Sequence, residues 1–133
     1  MPAADAFFDT NVLIYYVSFE EDKAKRSAKL LAQGGVVSVQ VLNEFANVAR
    51  LKRKMSWPSI RLSLDAIHSV CSVAPLTLET HERGLALAQR HNFSIYDAMI
   101  VAAAQLAGCK TLYTEDLHDG HVVEGLRIRN PYV

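Results

Sequence analysis

The sequence has few cysteines and no long apolar run. Cys71 and Cys109 are its only cysteines, and neither belongs to a C-x-x-C pair. They therefore predict reduced thiols in or near a core rather than a disulfide or a metal site. The chain has no run of about eighteen apolar residues that would span a membrane. Asp5 stands where a signal peptide would carry positive charge. We therefore expect a cytoplasmic protein.

Neither sign of charge is in excess, since 14 acidic and 14 basic side chains give a formal net charge of zero. This balance by itself argues neither for nor against a nucleic-acid partner. If four of the acids shared one cation-filled pocket, the 14 bases would face only ten other acids. A mildly basic body around an acidic pocket would suit a polyanion.

The length of 133 residues, half of them hydrophobic, fits one domain spanning residues 1–133. Helical and extended patterns alternate without an internal repeat, which predicts a three-layer α/β fold with a mainly parallel sheet of four or five strands flanked by helices. Strands are expected at residues 6–8, 36–39, 73–76 and 110–114. The later helices are expected to begin near residues 41, 57, 78 and 94.

Asp9 ends the first apolar run and precedes Thr10 and Asn11, which open a run of helical length. The carboxyl end of a buried strand is where α/β sheets bind ligands, so Asp9 is a candidate site residue. An alternative is that Asp9 only caps the following helix, because Asp is a favoured N-cap residue.

Three more acids occupy comparable positions. Glu44 lies in the early turns of the helix after the second strand, at the edge of its apolar stripe. Asp116 follows the strand at residues 110–114. Asp97 lies in the first turn of a helix that is apolar nearly all round, where Ser94 and Asp97 also resemble a capping box.

In a parallel sheet these four positions share the carboxyl edge. Four converging carboxylates do not ionise comfortably without a cation, and oxygen ligands select hard ions such as Mg²⁺ or Mn²⁺. The chemistry that this arrangement suggests is metal-assisted hydrolysis of phosphate esters.

Five segments carry a family resemblance: F-F-D-T-N-V-L-I-Y-Y, V-L-N-E-F, S-I-Y-D-A-M-I-V-A-A-A, L-Y-T-E-D-L-H-D-G and R-I-R-N-P-Y. They resemble PIN-domain ribonucleases, and most of all the toxin half of bacterial VapBC-type toxin-antitoxin pairs. The resemblance runs over essentially the whole chain. It implies Mg²⁺- or Mn²⁺-dependent cleavage of RNA, homodimerisation and inhibition by an antitoxin protein.

The resemblance also implies roles for individual residues. The acidic metal-site positions of the family match Asp9, Glu44, Asp97 and Asp116, and its supporting polar positions match Thr10, Asn11 and Thr114. Asp119 matches an acid that some members place near a second metal. Glu115 has no such match and is expected to face solvent.

A basic cluster, which we call the α3-end patch, comprises Arg50, Lys52, Arg53 and Lys54. It predicts either a solvated helix end that favours positive charge or an RNA-binding patch that contacts phosphates.

Other chemistries match the sequence less well. A haloacid-dehalogenase-type phosphatase would need an Asp at position 11, which is Asn, and there is no G-x-G-x-x-G or P-loop motif. His118 and His121, with Asp116 or Asp119, would give a zinc site without a clear full set of ligands. A catalytically silent RNA-binding or regulatory module on the same scaffold stays open as a different class of function.

Overall fold

A six-stranded sheet forms the centre of the fold, in a computed structural model that describes residues 5–133. The strands lie in the order β3-β2-β1-β4-β6-β5, and all neighbours are parallel except β5 and β6. The prediction of an α/β fold with a mainly parallel sheet is confirmed. The strands are β1 Ala6–Phe8, β2 Gly35–Ser38, β3 Cys71–Ala74, β4 Thr111–Tyr113, β5 Val122–Val123 and β6 Leu126–Arg129.

Among residues 5–133, six helices flank the sheet in two groups. The first four contact one another, and α5 packs along α6. In the part of the chain that the structure describes, no helix has both the length and the apolar character needed to cross a membrane. The helices are α1 Thr10–Tyr16, α2 Glu21–Ala32, α3 Val39–Leu51, α4 Trp57–Val70, α5 Leu78–His91 and α6 Ile95–Leu106.

The first strand lies in the middle of the sheet, as its apolar sequence predicts. Phe7 is fully buried and pairs with Val36 of β2 and with Leu112 of β4, both also buried. A strand covered on both faces has to be apolar throughout, and the first polar residue is therefore found where the strand ends. That residue is Asp9.

Polar caps fix where the helices begin. Asp9 caps α1 immediately after β1, and the Ser38 hydroxyl caps α3 immediately after β2 by accepting from the backbone N–H of Val41 at 3.2 Å. A capped helix that starts where a parallel strand ends places its first turns at the carboxyl edge of the sheet. The caps therefore decide which helical side chains can reach that edge.

Three details differ from the sequence prediction. Val39 opens α3 rather than ending β2, and β3 spans Cys71–Ala74 rather than residues 73–76. The sheet has six strands instead of four or five, because β5 and β6 add an antiparallel hairpin at one edge. Its turn holds Glu124 and Gly125 at φ of 47° and 92°. Two central residues with positive φ are typical of the tight turns that match the twist of paired strands.

Replacing Gly35 with Ala is expected to destabilise the protein. A Cβ there would lie 2.7 Å from the backbone oxygen of Ala6 and 2.6 Å from the Phe8 ring. Backbone in a central strand cannot move aside without disturbing the sheet. We expect a loss of about 2–3 kcal/mol in the free energy of unfolding, measured by urea denaturation.

Gly84→Ala is the matched control for that measurement. Its new Cβ would meet the flexible side chain of Met99, with Sδ at 2.5 Å, and Ala is the better helix former. Its loss should be clearly smaller. Equal losses at the two positions would show that the close approach of β1 and β2 does not limit residue size at Gly35.

Candidate active site

Asp9 is both a strand-end residue and a helix cap, so the two interpretations of it are compatible. One carboxylate oxygen accepts from the backbone N–H of Thr10 at 2.7 Å, and the other accepts from the Thr114 hydroxyl at 2.8 Å. The side chain is only 5% exposed. Asp9 is thus held rigidly at the carboxyl edge, between the ends of β1 and β4.

Glu44 is connected to Asp9 through Thr10. The Thr10 hydroxyl donates to Glu44 Oε1 at 2.6 Å. On the other side, the Gln40 amide lies 3.4 Å from Oε2, one helical turn before Glu44 on α3. Sequence analysis did not identify Gln40, although its spacing of four residues from Glu44 places the two side chains on one helix face.

Asp116 lies beyond β4. It is held by Asn11, which lies just after β1, and by Thr114, which lies just after β4. The Asn11 amide nitrogen donates to Asp116 Oδ2 at 3.1 Å, and the Asp116 backbone N–H donates to the Thr114 hydroxyl at 3.0 Å. Thr114 is fully buried, whereas Asp116 is exposed. Thr114 therefore joins Asp116 to Asp9 in one hydrogen-bond network.

Asp97 lies at the start of α6, which Ser94 caps. The Ser94 hydroxyl accepts from the Asp97 backbone N–H at 3.1 Å. Among the described residues, no hydrogen bond is found to the Asp97 carboxylate, so the capping box is only half formed. The Asp97 carboxylate is half-buried and acts on Asp116 through its charge.

The electrostatic environment of Asp9 opposes its ionisation. Burial raises the pKa of Asp9 from 3.8 to about 6, against the effect of hydrogen bonds from Thr10 and Thr114. The negative charges of Asp116 and Glu44 raise this pKa further. The surroundings of Asp9 therefore disfavour its charged form.

Asp116 shows the same effect more weakly. Although the residue as a whole is exposed, partial desolvation of its carboxyl group raises the pKa of Asp116, and the hydrogen bond from Asn11 lowers it. The charges of Asp97, Glu115 and Glu44 each raise the pKa of Asp116. Each of the four acids therefore acts on at least one of the others, and the structure brings them together at one edge of the sheet.

The chemistry of this donor set fits a hard divalent ion. The acids offer only oxygen atoms, and the buried oxygen of the Asn11 amide has no hydrogen-bond partner among the described residues. Within residues 5–133, no three His, Cys, Asp or Glu side chains stand close enough to form a ligand set as they are. Coordination would thus require the carboxylates to move closer together, which a cation favours by cancelling their repulsion.

Asp119 and Glu115 are placed differently from the expectation. The Asp119 carboxylate accepts from the backbone N–H of Asn130 at 2.7 Å and thereby holds the segment after β6. Glu115 does not simply face solvent, because it accepts from the Tyr15 hydroxyl at 2.6 Å and lies 3.7 Å from Lys23. None of these three contacts has a sequence signal. Glu115 lies about a hundred positions from Tyr15 and Lys23, and Asp119 and Asn130 lie outside the regular elements.

The α3-end patch is not part of the acid cluster, by which we mean Asp9, Glu44, Asp97 and Asp116. The helix that carries Glu44 leads away from the carboxyl edge, so Arg50 lies roughly 9 Å further along its axis. Arg50 donates to the backbone oxygen of Met55 at 3.0 Å and stacks over the Trp57 ring at 4.8 Å. The local contacts of Arg50 match those of a helix end.

Comparison with known proteins finds one family model and several solved structures that resemble this chain. A family model described as PIN domain matches residues 6–118. A search of curated proteins found no match. A solved structure, a toxin-antitoxin complex from Klebsiella pneumoniae, is 25% identical with a TM-score of 0.74 and covers 96% of this chain and 98% of its own.

Two more distant structures share the fold. VapC20 from Mycobacterium tuberculosis, described as a sarcin-ricin loop cleaving toxin, is 18% identical with a TM-score of 0.68, over 84% of this chain and 91% of its own. VapBC2 from Rickettsia felis, bound to a promoter DNA fragment, is 20% identical with a TM-score of 0.65, over 94% of this chain and 97% of its own.

Proposed function

Because this chain belongs to the PIN domain family, we propose that it is a metal-dependent endoribonuclease and the toxin of a bacterial toxin-antitoxin pair. The likeness to toxin structures supports a ribonuclease toxin role. The observation that carries the proposal is the convergence of four acids on one sheet edge: Asp9, Glu44, Asp97 and Asp116.

We assign the four acids to binding Mg²⁺, for which Mn²⁺ can substitute. When bound, such an ion lowers the pKa of a water molecule and stabilises negative charge on a phosphate. The chain itself supplies orientation. Thr10 orients Glu44, Thr114 orients Asp9, and Asn11 orients Asp116, so these hydrogen bonds keep the acids near the positions from which an ion would draw them together. Asp119 has no role in this cluster in our proposal.

The partners follow from the same proposal. The substrate is RNA, and the inhibitor is a cognate antitoxin protein, as the likeness to a toxin-antitoxin complex suggests. We also propose that the working form is a homodimer, which the mass from light scattering would test. A catalytically silent RNA-binding or regulatory module is the alternative function.

Cleavage of bulk RNA tests the enzyme proposal. The purified protein is expected to shorten RNA in Mg²⁺ or Mn²⁺ and to stop when EDTA removes the ion, because the acids alone offer no activated water. The same ions should raise the melting temperature, since they bind the folded state. Products resolved on a denaturing gel and thermal melts are the measurements.

The two readouts separate the alternatives. RNA binding without cleavage in either ion would favour the silent module. Cleavage that persists unchanged in EDTA would contradict the metal assignment. Excess Mg²⁺ added back to the EDTA sample is the control.

A further inference from the structure

A second feature of the molecule is a cleft of about 520 Å³ between α2 and the ends of β4 and β6. One wall is α2, the floor is formed by the ends of β4 and β6, and the other wall is the segment 130–133. Tyr113, the last residue of β4, lines the cleft. The next residue in the chain is Thr114, whose hydroxyl donates to Asp9. The cleft and the candidate active site are therefore adjacent along one chain segment.

The charged side chains that line this cleft are mostly basic. Arg26, Lys29 and Arg129 face a single acid, Asp119. Within residues 5–133, none of the three bases takes part in an ion pair. The Asp119 carboxylate is engaged by a backbone N–H, which leaves the cleft with an excess of positive charge.

The wall formed by the segment after β6 is fixed in place. Arg26 donates to the backbone oxygen of Pro131 at 3.0 Å. The Tyr132 hydroxyl shares a 2.6 Å hydrogen bond with Ser27, and its ring packs edge-on against Tyr15. Arg26 has this structural contact. Lys29 and Arg129 are therefore the two cleft bases whose side chains have no hydrogen-bond or ion-pair partner within residues 5–133.

An aromatic ring accompanies these bases. The Tyr113 ring stacks on Phe8, with 6.0 Å between centroids and 20° between planes, so it is supported from one side. A basic groove with an aromatic side chain is the combination by which proteins bind single-stranded nucleic acid, since phosphates meet the bases and nucleobases stack on the ring. An acidic peptide would use the charges but would have no need for the ring.

We propose that this cleft binds the RNA strand next to the phosphate that is cleaved, with Lys29 and Arg129 contacting its backbone. The inference rests on the proposed function. Phe8, Tyr113 and Arg129 pair in one row across β1, β4 and β6. Adjacent strands lie about 4.8 Å apart, so the Arg129 backbone is roughly 10 Å from the end of β1 that positions Asp9. That separation suits a nearby phosphate of the same strand.

The experiment compares three double variants that each lose one Lys and one Arg: Lys29→Gln with Arg129→Gln in the cleft, Lys52→Gln with Arg53→Gln in the α3-end patch, and Arg61→Gln with Lys110→Gln as the matched control. All six side chains are exposed. Binding is measured by fluorescence anisotropy with a labelled mixed-sequence RNA of about a dozen nucleotides, in an Asp97→Asn background.

The cleft variant should bind RNA on the order of tenfold more weakly and lose about one unit of salt slope for each base, because fewer counterions are released. The patch variant and the control should keep the slope of the parent. An unchanged slope in the cleft variant, or an equal loss in the control, would overturn the proposal. Unchanged RNA binding with lost binding of polyglutamate would also overturn it, in favour of an acidic peptide.

The wild-type protein separates this failure from failure of the proposed function. If it cleaves RNA while the cleft variant keeps its binding slope, only the cleft assignment fails. If it neither binds nor cleaves RNA, the proposed function and the cleft assignment fail together. Unchanged melting temperatures of the double variants would show that the losses do not come from unfolding.

Discussion

Asp97→Asn is expected to reduce RNA cleavage by orders of magnitude while leaving the metal-free protein as stable as the wild type or more so. The Asp97 carboxylate has no hydrogen bond in the described structure, and its charge raises the pKa of Asp116. Removing that charge relieves repulsion but also removes one of the metal ligands that we propose. Cleavage assays, with melts in EDTA and in Mg²⁺, measure the two effects, and the Mg²⁺-induced rise in melting temperature should shrink.

Ser94→Ala is the control that separates capping from metal binding. Ser94 supplies the observed cap of α6, so its loss should cost about 1 kcal/mol of stability and leave cleavage and the Mg²⁺-induced shift nearly intact. If Asp97→Asn behaved like Ser94→Ala in both assays, Asp97 would be a helix-start residue only.

The positions of the acids were predictable because they depend on local patterns. In a parallel sheet covered on both faces, a polar residue that follows an apolar strand is expected at the carboxyl edge. Asp9 and Asp116 both lie there. Asp97 and Glu44 needed one more step, the start of a helix, which the Ser94 cap indicated for Asp97 and the apolar stripe beginning near residue 41 indicated for Glu44. Each inference used residues that are close in sequence.

The supporting polar contacts could be predicted only in part from the sequence. The resemblance assigned Thr10, Asn11 and Thr114 as supporting residues, but which acid each one holds depends on side-chain directions across the sheet edge. Thr114 contacts Asp9 from 105 positions away. No periodicity in the sequence encodes such a pairing.

The β5–β6 hairpin and the basic residues of the cleft were harder to predict from the sequence, for other reasons. The strand β5 has two residues, too few for an alternating pattern to stand out. The α3-end patch stood out because its bases are consecutive, whereas the cleft bases come from α2 and β6 and converge only in the fold. Bases that gather from separate elements therefore leave no run of like charge in the sequence.

Asp9→Asn is expected to change stability and activity in opposite directions. Because burial raises the pKa of Asp9 from 3.8 to about 6, the folded state binds more protons than the unfolded state in that range. The metal-free protein therefore loses stability as pH rises from about 4 to 6. The loss approaches about 3 kcal/mol for a shift of about two units.

The neutral side chain of Asp9→Asn removes that penalty at pH 7. It retains one oxygen to accept from Thr10 or Thr114, so we expect a net gain of about 1–2 kcal/mol in EDTA. Cleavage should fall by orders of magnitude, because an amide is a poorer ligand than a carboxylate for a hard cation. Denaturation in EDTA between pH 4 and 7.5 and RNA cleavage in Mg²⁺ are the measurements.

The matched control is Asp65→Asn, which removes the same charge from an exposed position on α4. It should leave cleavage intact and follow the wild-type pH dependence of stability, whereas Asp9→Asn should flatten that dependence between about pH 4 and 6. In Mg²⁺ the wild type should regain stability at pH 7 and Asp9→Asn should not, because the ion compensates the charge that the variant lacks. A destabilised Asp9→Asn protein in EDTA, with unchanged pH dependence, would mean that the cap and the Thr114 hydrogen bond outweigh burial of the charge.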